Sequence, residues 1–139
     1  DDRLPSACIV DLDGTLAKMN GRNPFDGSRC DEDTFDQLVW AATKGFDKVI
    51  FLSGREDKFY EKTRDWMMVN EGIVPILGQD LLMRKTGDMR SDSIIKAEIF
   101  WEHVAPNYNV KLVLDDRNSV VNMWRRLGLT CWQVAEGDF

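Results

Sequence analysis

The stretch Ala7–Thr15, with the sequence ACIVDLDGT, carries most of what the chain predicts about its fold. Its first part, Ala7–Leu12, is a short apolar run, which is typical of a strand buried on both faces of a parallel sheet. Side chains two apart project to the same side of a strand, so Asp11 and Asp13 can point to one place. The stretch therefore predicts a buried first strand that ends in two carboxylates.

The rest of the chain alternates between strand-like and helix-like segments. Apolar runs predict further strands at Lys48–Leu52, Val74–Leu77, Val110–Leu114 and Thr130–Val134. Helical spacing of apolar residues predicts helices at Asp31–Lys44, Asp57–Glu71, Asp92–Val104 and Asn118–Leu127. This alternation favours an α/β fold with a central parallel sheet of about five strands and helices on both faces.

Length and local composition limit the domain organisation. The 139 residues predict one domain, 1–139. The segment Asp13–Cys30 contains Gly, Asn and Pro without a clear period, and it predicts a small flap in place of a large cap domain. The apolar runs are far shorter than the ~20 residues of a membrane span.

Charge and cysteine content narrow the function classes. The net charge of −6 argues against a protein that coats long nucleic acid, but it leaves room for one that grips a single phosphate. Cys8, Cys30 and Cys131 are odd in number and lack metal-binding spacing. They indicate reduced thiols, as in a cytoplasmic protein.

A second pair of carboxylates, Asp115 and Asp116, follows the run Val110–Leu114. If that strand lies beside the first, four carboxylates crowd together, and such a cluster is unstable without a cation. All-oxygen ligands favour Mg²⁺. The alternative is that these aspartates are ordinary turn residues. The coincidence with Ser53-Gly54-Arg55 after another strand argues against that alternative.

These residue types suit phosphoryl transfer. A carboxylate can attack phosphorus and form an aspartyl-phosphate, which splits one difficult step into two. A second carboxylate two residues later can protonate the leaving oxygen and deprotonate the attacking water. A divalent ion would neutralise charge on the phosphoryl oxygens, and Ser53 with a nearby lysine could donate to them.

Asp11-Leu12-Asp13-Gly14-Thr15 resembles the DxDGT signature of the haloacid dehalogenase superfamily, whose fold is Rossmann-like. Ser53, Lys96 and the pair Asp115-Asp116 resemble its second, third and fourth motifs. Further stretches resemble the 3′-phosphatase half of the T-even bacteriophage polynucleotide kinase–phosphatases: 13–22, 53–56, 99–106 and 131–139.

The resemblance assigns roles to the carboxylates. It implies that Asp11 is the nucleophile and Asp13 the general acid–base. It also implies that Mg²⁺ is held by Asp11, the backbone carbonyl of Asp13 and the Asp115/Asp116 pair. Within that pair we expect Asp116 to be the direct ligand and Asp115 the supporting one.

The resemblance also assigns the groups around the substrate phosphate. Ser53, Gly54 and Lys96 would hold the phosphate, and Arg55 and Arg84 would support the substrate or the geometry of the site. In the flap, Lys18 and Arg22 are candidates for substrate contact. The tryptophans could stack bases, but their positions favour core packing: Trp40, Trp66, Trp101, Trp124 and Trp132.

The resemblance implies a Mg²⁺-dependent phosphomonoesterase that removes 3′-phosphate, and opens 2′,3′-cyclic phosphate, at DNA or RNA ends during repair. Expected partners are those nucleic-acid ends, a 5′-kinase domain in a longer protein, and a second copy of the chain in a homo-oligomer. The expected location is the cytoplasm, the host's if the protein is phage-encoded.

No GxxxxGK[ST] loop occurs, so this chain itself has no such kinase site. The alternatives are a small-molecule phosphatase such as a nucleotidase, and a non-catalytic assembly module.

Overall fold

A computed structural model describes residues 3–19, 23 and 26–139. Within them the strands are β1 (Ser6–Val10), β2 (Ala17–Lys18), β3 (Thr34–Phe35), β4 (Lys48–Glu56), β5 (Leu81–Arg84), β6 (Asn109–Asp115) and β7 (Cys131–Gln133). The α-helices are α1 (Gln37–Ala42), α2 (Tyr60–Glu71), α3 (Asp92–Ile99) and α4 (Asn118–Arg126). A π-helical turn, Phe100–Val104, continues α3. None of the helices in this described part is long and apolar enough to cross a bilayer.

The main sheet has the strand order β5-β4-β1-β6-β7, and every neighbouring pair is parallel. This confirms the predicted Rossmann-like α/β fold. From β1 the chain builds one side of the sheet and then returns to build the other. The reversal lies beside β1, and in open parallel sheets ligands bind at such a switch point, beyond the carboxyl ends of the strands.

Helices cover both faces of the sheet, as predicted, because β1 is apolar on both sides. Cys8 and Val10 pack with Trp66 and Met67 of α2 on one face. On the other face, Ala7 and Ile9 pack against the π-helical turn and α4, in a cluster that includes Phe100, Val104, Val120, Val121 and Trp124. The first strand is thus the centre of two hydrophobic clusters.

The helix predicted at Asp31–Lys44 is wrong in its first half. Asp36 caps α1 instead, since its Oδ1 accepts from the backbone N–H of Leu38 at 3.0 Å and of Val39 at 3.2 Å. The residues before it form a 3₁₀ turn and β3, which pairs antiparallel with β2. Leu38, whose helical spacing with Phe35 and Val39 would place it on the inner face of the predicted helix, is 84% exposed. Residues 34–35 therefore form a strand and not the first half of a helix.

The strand predicted at Val74–Leu77 is also wrong. The strand is β5, in a stretch for which the sequence analysis gives no strand. Ile76 accepts from the backbone N–H groups of Gln79 and Asp80, both at 3.0 Å, and so closes a tight turn before β5. Either of two short apolar runs, Val74–Leu77 or Leu81–Arg84, could have paired with β4, and the structure pairs the second. The run in β5 is buried, whereas Val74 and Ile76 remain exposed.

The prediction that the tryptophans pack in the core is correct for some of them and wrong for others. Trp66 and Trp124 are buried, and Trp40 packs at the edge of the first cluster. Trp101 is exposed because the π-helical turn directs Phe100 and Val104 inward instead. Trp132 lies on the edge strand β7 and is 56% exposed.

Candidate active site

Asp11 lies at the carboxyl end of β1 and is nearly fully buried. Its Oδ1 accepts a hydrogen bond from Lys96 Nζ at 2.7 Å. Its Oδ2 accepts from the hydroxyl of Thr15 at 3.0 Å, and the same hydroxyl lies 3.2 Å from Asp116 Oδ1. Thr15 thus links the carboxylates that follow two neighbouring strands.

Lys96 reaches this crevice from α3 and is fully buried, with its Nζ also 3.0 Å from Asp115 Oδ2. Burial alone would lower the pKa of Lys96, but Asp11 and Asp115 together raise it above the ordinary value, so the amine stays charged. Burial, and then the charge of Asp115, raise the pKa of Asp11 well above its usual range. One cation thus compensates only part of the negative charge.

The cluster fits a divalent metal ion. One carboxylate oxygen from each of Asp11, Asp115 and Asp116 lies within 4.8 Å of the others, and all three residues are buried. Opposite ligands of Mg²⁺ stand about 4 Å apart, so a small contraction would bring these oxygens into its coordination sphere. Hard oxygen donors and uncompensated negative charge are what Mg²⁺ requires.

The two neighbouring aspartates are held differently. Asp115 Oδ1 accepts from the backbone N–H of Asp116 at 2.9 Å. Its Oδ2 accepts from Lys96 and, at 3.3 Å, from Trp124 Nε1. Asp116 accepts from Thr15 through Oδ1, while its Oδ2 faces Gly14. Asp115 thus has three donors, whereas Asp116 has a carboxylate oxygen turned toward Gly14. That Asp116 is the direct ligand and Asp115 its support stays a prediction.

Both the backbone conformation and the close neighbours at position 14 require a glycine. Its φ of +81° lies in the left-handed region that favours glycine. A Cβ at this position would collide with the Asp116 carboxylate. The glycine of the first motif therefore lets β1 turn away while the second aspartate pair approaches its backbone.

Asp13 is fixed by Arg55. The Nε and Nη2 atoms of Arg55 lie 3.0 and 2.8 Å from Asp13 Oδ1. The same buried guanidinium donates to Thr63 Oγ1 at 3.0 Å and to Asp33 Oδ2 at 3.1 Å. Of the two roles that the resemblance allows for Arg55, these contacts favour support of the site geometry. Asp33 and Thr63 are positioning residues that the sequence analysis missed, because neither belongs to a local motif.

A bulge in β4 places Arg55. Ser53 pairs with Met83 and Glu56 with Arg84, so Gly54 and Arg55 stand out of the ladder. The strand predicted to end at Leu52 therefore continues as an irregular strand. Ser53 is fully buried, and its hydroxyl accepts from the backbone N–H of Arg55 at 3.0 Å.

Arg84 braces the same bulge. Its Nε donates to the Gly54 carbonyl at 2.8 Å, and its Nη2 pairs with Asp92. Asp92 also accepts from Arg117 Nη1 at 2.9 Å, and a Cβ on Gly54 would collide with it. Asp92 and Arg117 are further residues that sequence reasoning missed, although each lies within four residues of a predicted site residue.

The C-terminal segment 134–139, here called the strap, supports the backbone of the aspartate pair. Val134 N–H donates to the Asp115 carbonyl at 3.0 Å, and the Gly137 carbonyl accepts from Asn118 N–H at 2.8 Å. A Cβ on Gly137 would collide with the backbone of Asp116. The only sequence signal for this contact is the stretch 131–139, which the resemblance already includes.

A cavity of about 300 Å³ joins these groups. It is lined by every predicted site residue except Ser53, namely Asp11, Asp13, Gly54, Arg55, Arg84, Lys96, Asp115 and Asp116. Met19 and Phe59 line it as well, and the exposed side chains of Met89 and Phe139 line its outer part. Of the flap candidates, Lys18 pairs with Asp36 at 3.3 Å, and Arg22 lies outside the described residues.

The parallel sheet, the DxDGT turn at its switch point and the buried acidic cluster define a phosphatase of the haloacid dehalogenase type. Residues 5–139 match the family model described as the polynucleotide kinase PNKP phosphatase domain. The chain belongs to this family.

Two kinds of relatives agree with this assignment. The chain is 33% identical over 132 residues to a protein of Autographa californica nuclear polyhedrosis virus described as a bifunctional polynucleotide kinase/RNA ligase. That match covers 91% of this chain and 19% of the viral protein. Two solved chains, both from structures of a Pnkp1/Rnl/Hen1 complex, one of them titled an RNA repair complex, are 46% identical, with TM-scores of 0.90 and 0.89. The chain is covered completely and spans 45% and 49% of those chains.

We predict that Gly14→Ala lowers phosphomonoester hydrolysis by about 100-fold, because the new methyl group displaces the Asp116 carboxylate. Gly78→Ala is the matched control, since Gly78 has a φ of +85° and open space around it. Both variants carry about 1–2 kcal/mol of backbone strain. Steady-state kinetics together with urea unfolding separate the two effects, and equal losses of activity would contradict the packing argument.

Proposed function

We propose that this chain is a Mg²⁺-dependent polynucleotide 3′-phosphatase that acts through an aspartyl-phosphate. The observation that carries the proposal is the convergence of Asp11, Asp115 and Asp116 around one buried lysine amine. The relatives described as polynucleotide kinase and as part of an RNA repair complex support nucleic-acid ends as the substrate class. We extend the proposal to a kinase domain as a partner and to the cytoplasm as the place of action.

In the first step, a carboxylate oxygen of Asp11 attacks the phosphorus of the terminal phosphate. The bond between phosphorus and the 3′-oxygen breaks, and the 3′-oxygen takes a proton from the Asp13 carboxyl. The nucleic acid leaves with a free 3′-hydroxyl, and the phosphoryl group stays on Asp11. Arg55 holds the Asp13 carboxyl in place through its two contacts to Oδ1.

In the second step, Asp13 accepts a proton from a water molecule that attacks the phosphorus of the aspartyl-phosphate. Inorganic phosphate leaves, and the Asp11 carboxylate is restored with Asp13 protonated again. Mg²⁺ held by Asp11, Asp116 and the Asp13 backbone carbonyl, with Asp115 in support, would neutralise charge on the phosphoryl oxygens.

Lys96 has the central binding role in this scheme. Its amine lies 2.7 Å from the Asp11 oxygen, so it can donate both to the nucleophile and to a phosphoryl oxygen beside it. Gly54 lines the cavity through its backbone, and the Ser53 hydroxyl, which accepts from Arg55 N–H, retains its own proton for donation. Arg84 holds the Gly54 carbonyl and the helix that carries Lys96 in register.

The decisive experiment measures phosphate release from 3′-phosphorylated DNA and RNA oligonucleotides with Mg²⁺ and after chelation. We expect release with Mg²⁺ and a loss of about 100-fold or more without it. A 2′,3′-cyclic end is measured alongside. Equal efficiency on 3′-mononucleotides would instead support the small-molecule phosphatase. No Mg²⁺-dependent release from any ester would support the non-catalytic module.

We further predict that Asp13→Asn slows release from a 3′-phosphorylated oligonucleotide by about 100-fold or more, because the alkoxide leaving group needs a proton. Release from nitrophenyl phosphate, whose leaving group is stable as an anion, should fall much less. Asp33→Asn is the matched control, since Asp33 also accepts from Arg55 but does not line the cavity. It should affect both substrates alike, and the same result for Asp13→Asn would exclude its acid role.

A further inference from the structure

The outer wall of the cavity holds a cation on an aromatic ring. The guanidinium carbon of Arg117 lies 4.6 Å from the centre of the Phe139 ring, and both residues line the cavity. Arg117 follows Asp116 directly, so this wall begins at the proposed metal ligands. The phosphatase mechanism above uses neither residue.

Both members of this wall are held in place. Arg117 Nη1 donates to Asp92 Oδ2 at 2.9 Å, and Asp92 is itself paired with Arg84. Phe139 is placed by the strap, in which Gly137 packs against the Asp116 backbone and Phe139 N–H donates to the Gly137 carbonyl at 3.0 Å. Despite this anchoring, Phe139 is 54% exposed. An exposed ring that is held by a backbone contact beside Asp116 offers a preorganised apolar surface.

We propose that Phe139, backed by Arg117, is the surface that receives the nucleobase of the terminal nucleotide while its 3′-phosphate lies on Asp11. The inference rests on the proposed function. The base is joined to the 3′-oxygen through one ribose. When the phosphate lies on Asp11, the base must therefore lie in the outer part of the cavity. Aromatic rings bind any base through its face, and a guanidinium on the ring adds charge attraction for the adjoining backbone.

Phe59 is the competing aromatic residue in the same cavity. Its ring packs so closely on Gly27 that a Cβ there would collide with it, and Lys58 Nζ lies 5.2 Å from its centre. The ring of Phe59 is therefore already covered by Gly27 and the Lys58 amine. Phe139 stands on the wall that carries Asp116 and is the better placed of the two.

The test compares two DNA oligonucleotides with a 3′-phosphate, one with a normal terminal base and one with an abasic terminal residue. We expect the chain to favour the base-bearing end by about tenfold in kcat/KM. Phe139→Ala should lower the base-bearing substrate to the abasic level and leave the abasic substrate unchanged. Trp132→Ala removes an aromatic side chain of similar exposure outside the cavity and should keep the tenfold preference.

Each other outcome counts against the inference. A preference that survives Phe139→Ala would show that Phe139 does not receive the base. Equal slowing of both substrates would show that the strap only supports the fold. Loss of the preference in Phe59→Ala alone would move the base to the other wall. If the unaltered chain releases phosphate from both substrates equally, the inference fails and the proposed function stands. No release from either substrate would overturn the proposed function together with the inference.

Discussion

The buried amine of Lys96 is the interaction on which the site depends. It lies 2.7 Å from Asp11 and 3.0 Å from Asp115, at a place where three buried carboxylates converge. Like charges at such distances oppose folding and raise one another's pKa. One fixed cation makes the cluster compatible with a folded chain, while the remaining negative charge keeps it attractive to a divalent ion. Removing either partner of such a buried pair costs about 3–5 kcal/mol, because the other charge stays behind.

The rest of the molecule places atoms around that amine. The parallel sheet brings the ends of β1 and β6 side by side, and Gly14 and Gly137 leave room for the Asp116 carboxylate and backbone. The bulge in β4 directs Arg55 to Asp13. These contacts come from segments far apart in the chain, so they are made only when the whole fold is formed. The geometry of the candidate site is in this sense a property of the fold.

Much of this arrangement could be predicted from the sequence, and the reasons for the rest are physical. The run Ala7–Leu12 is apolar at every position before its aspartate, so its burial and its place in the sheet follow directly. The helix predicted from Asp31 fails because antiparallel pairing of β3 with β2 overrides a helical spacing of apolar residues. The strand at Val74–Leu77 fails because a nearby run, Leu81–Arg84, fits the edge of β4 instead.

The site shows the same division. The motifs predict that Asp11, Lys96 and Asp116 lie close together, and the structure places them side by side. It gives no sign of Asp33, Thr63 or Asp92, whose roles depend on which arginine each one meets. It also gives no role to the strap, since a contact between Gly137 and the Asp116 backbone leaves no local pattern.

The most direct test of this account is to capture the covalent intermediate. The chain would be mixed with Mg²⁺ and a 3′-phosphorylated oligonucleotide, quenched within one turnover, reduced with borohydride and analysed by peptide mass spectrometry. Borohydride reduces an acyl phosphate to an alcohol, so we expect homoserine at position 11 and unchanged aspartate at position 13. Homoserine at position 13, or steady hydrolysis with Asp11 left unmodified, would contradict it.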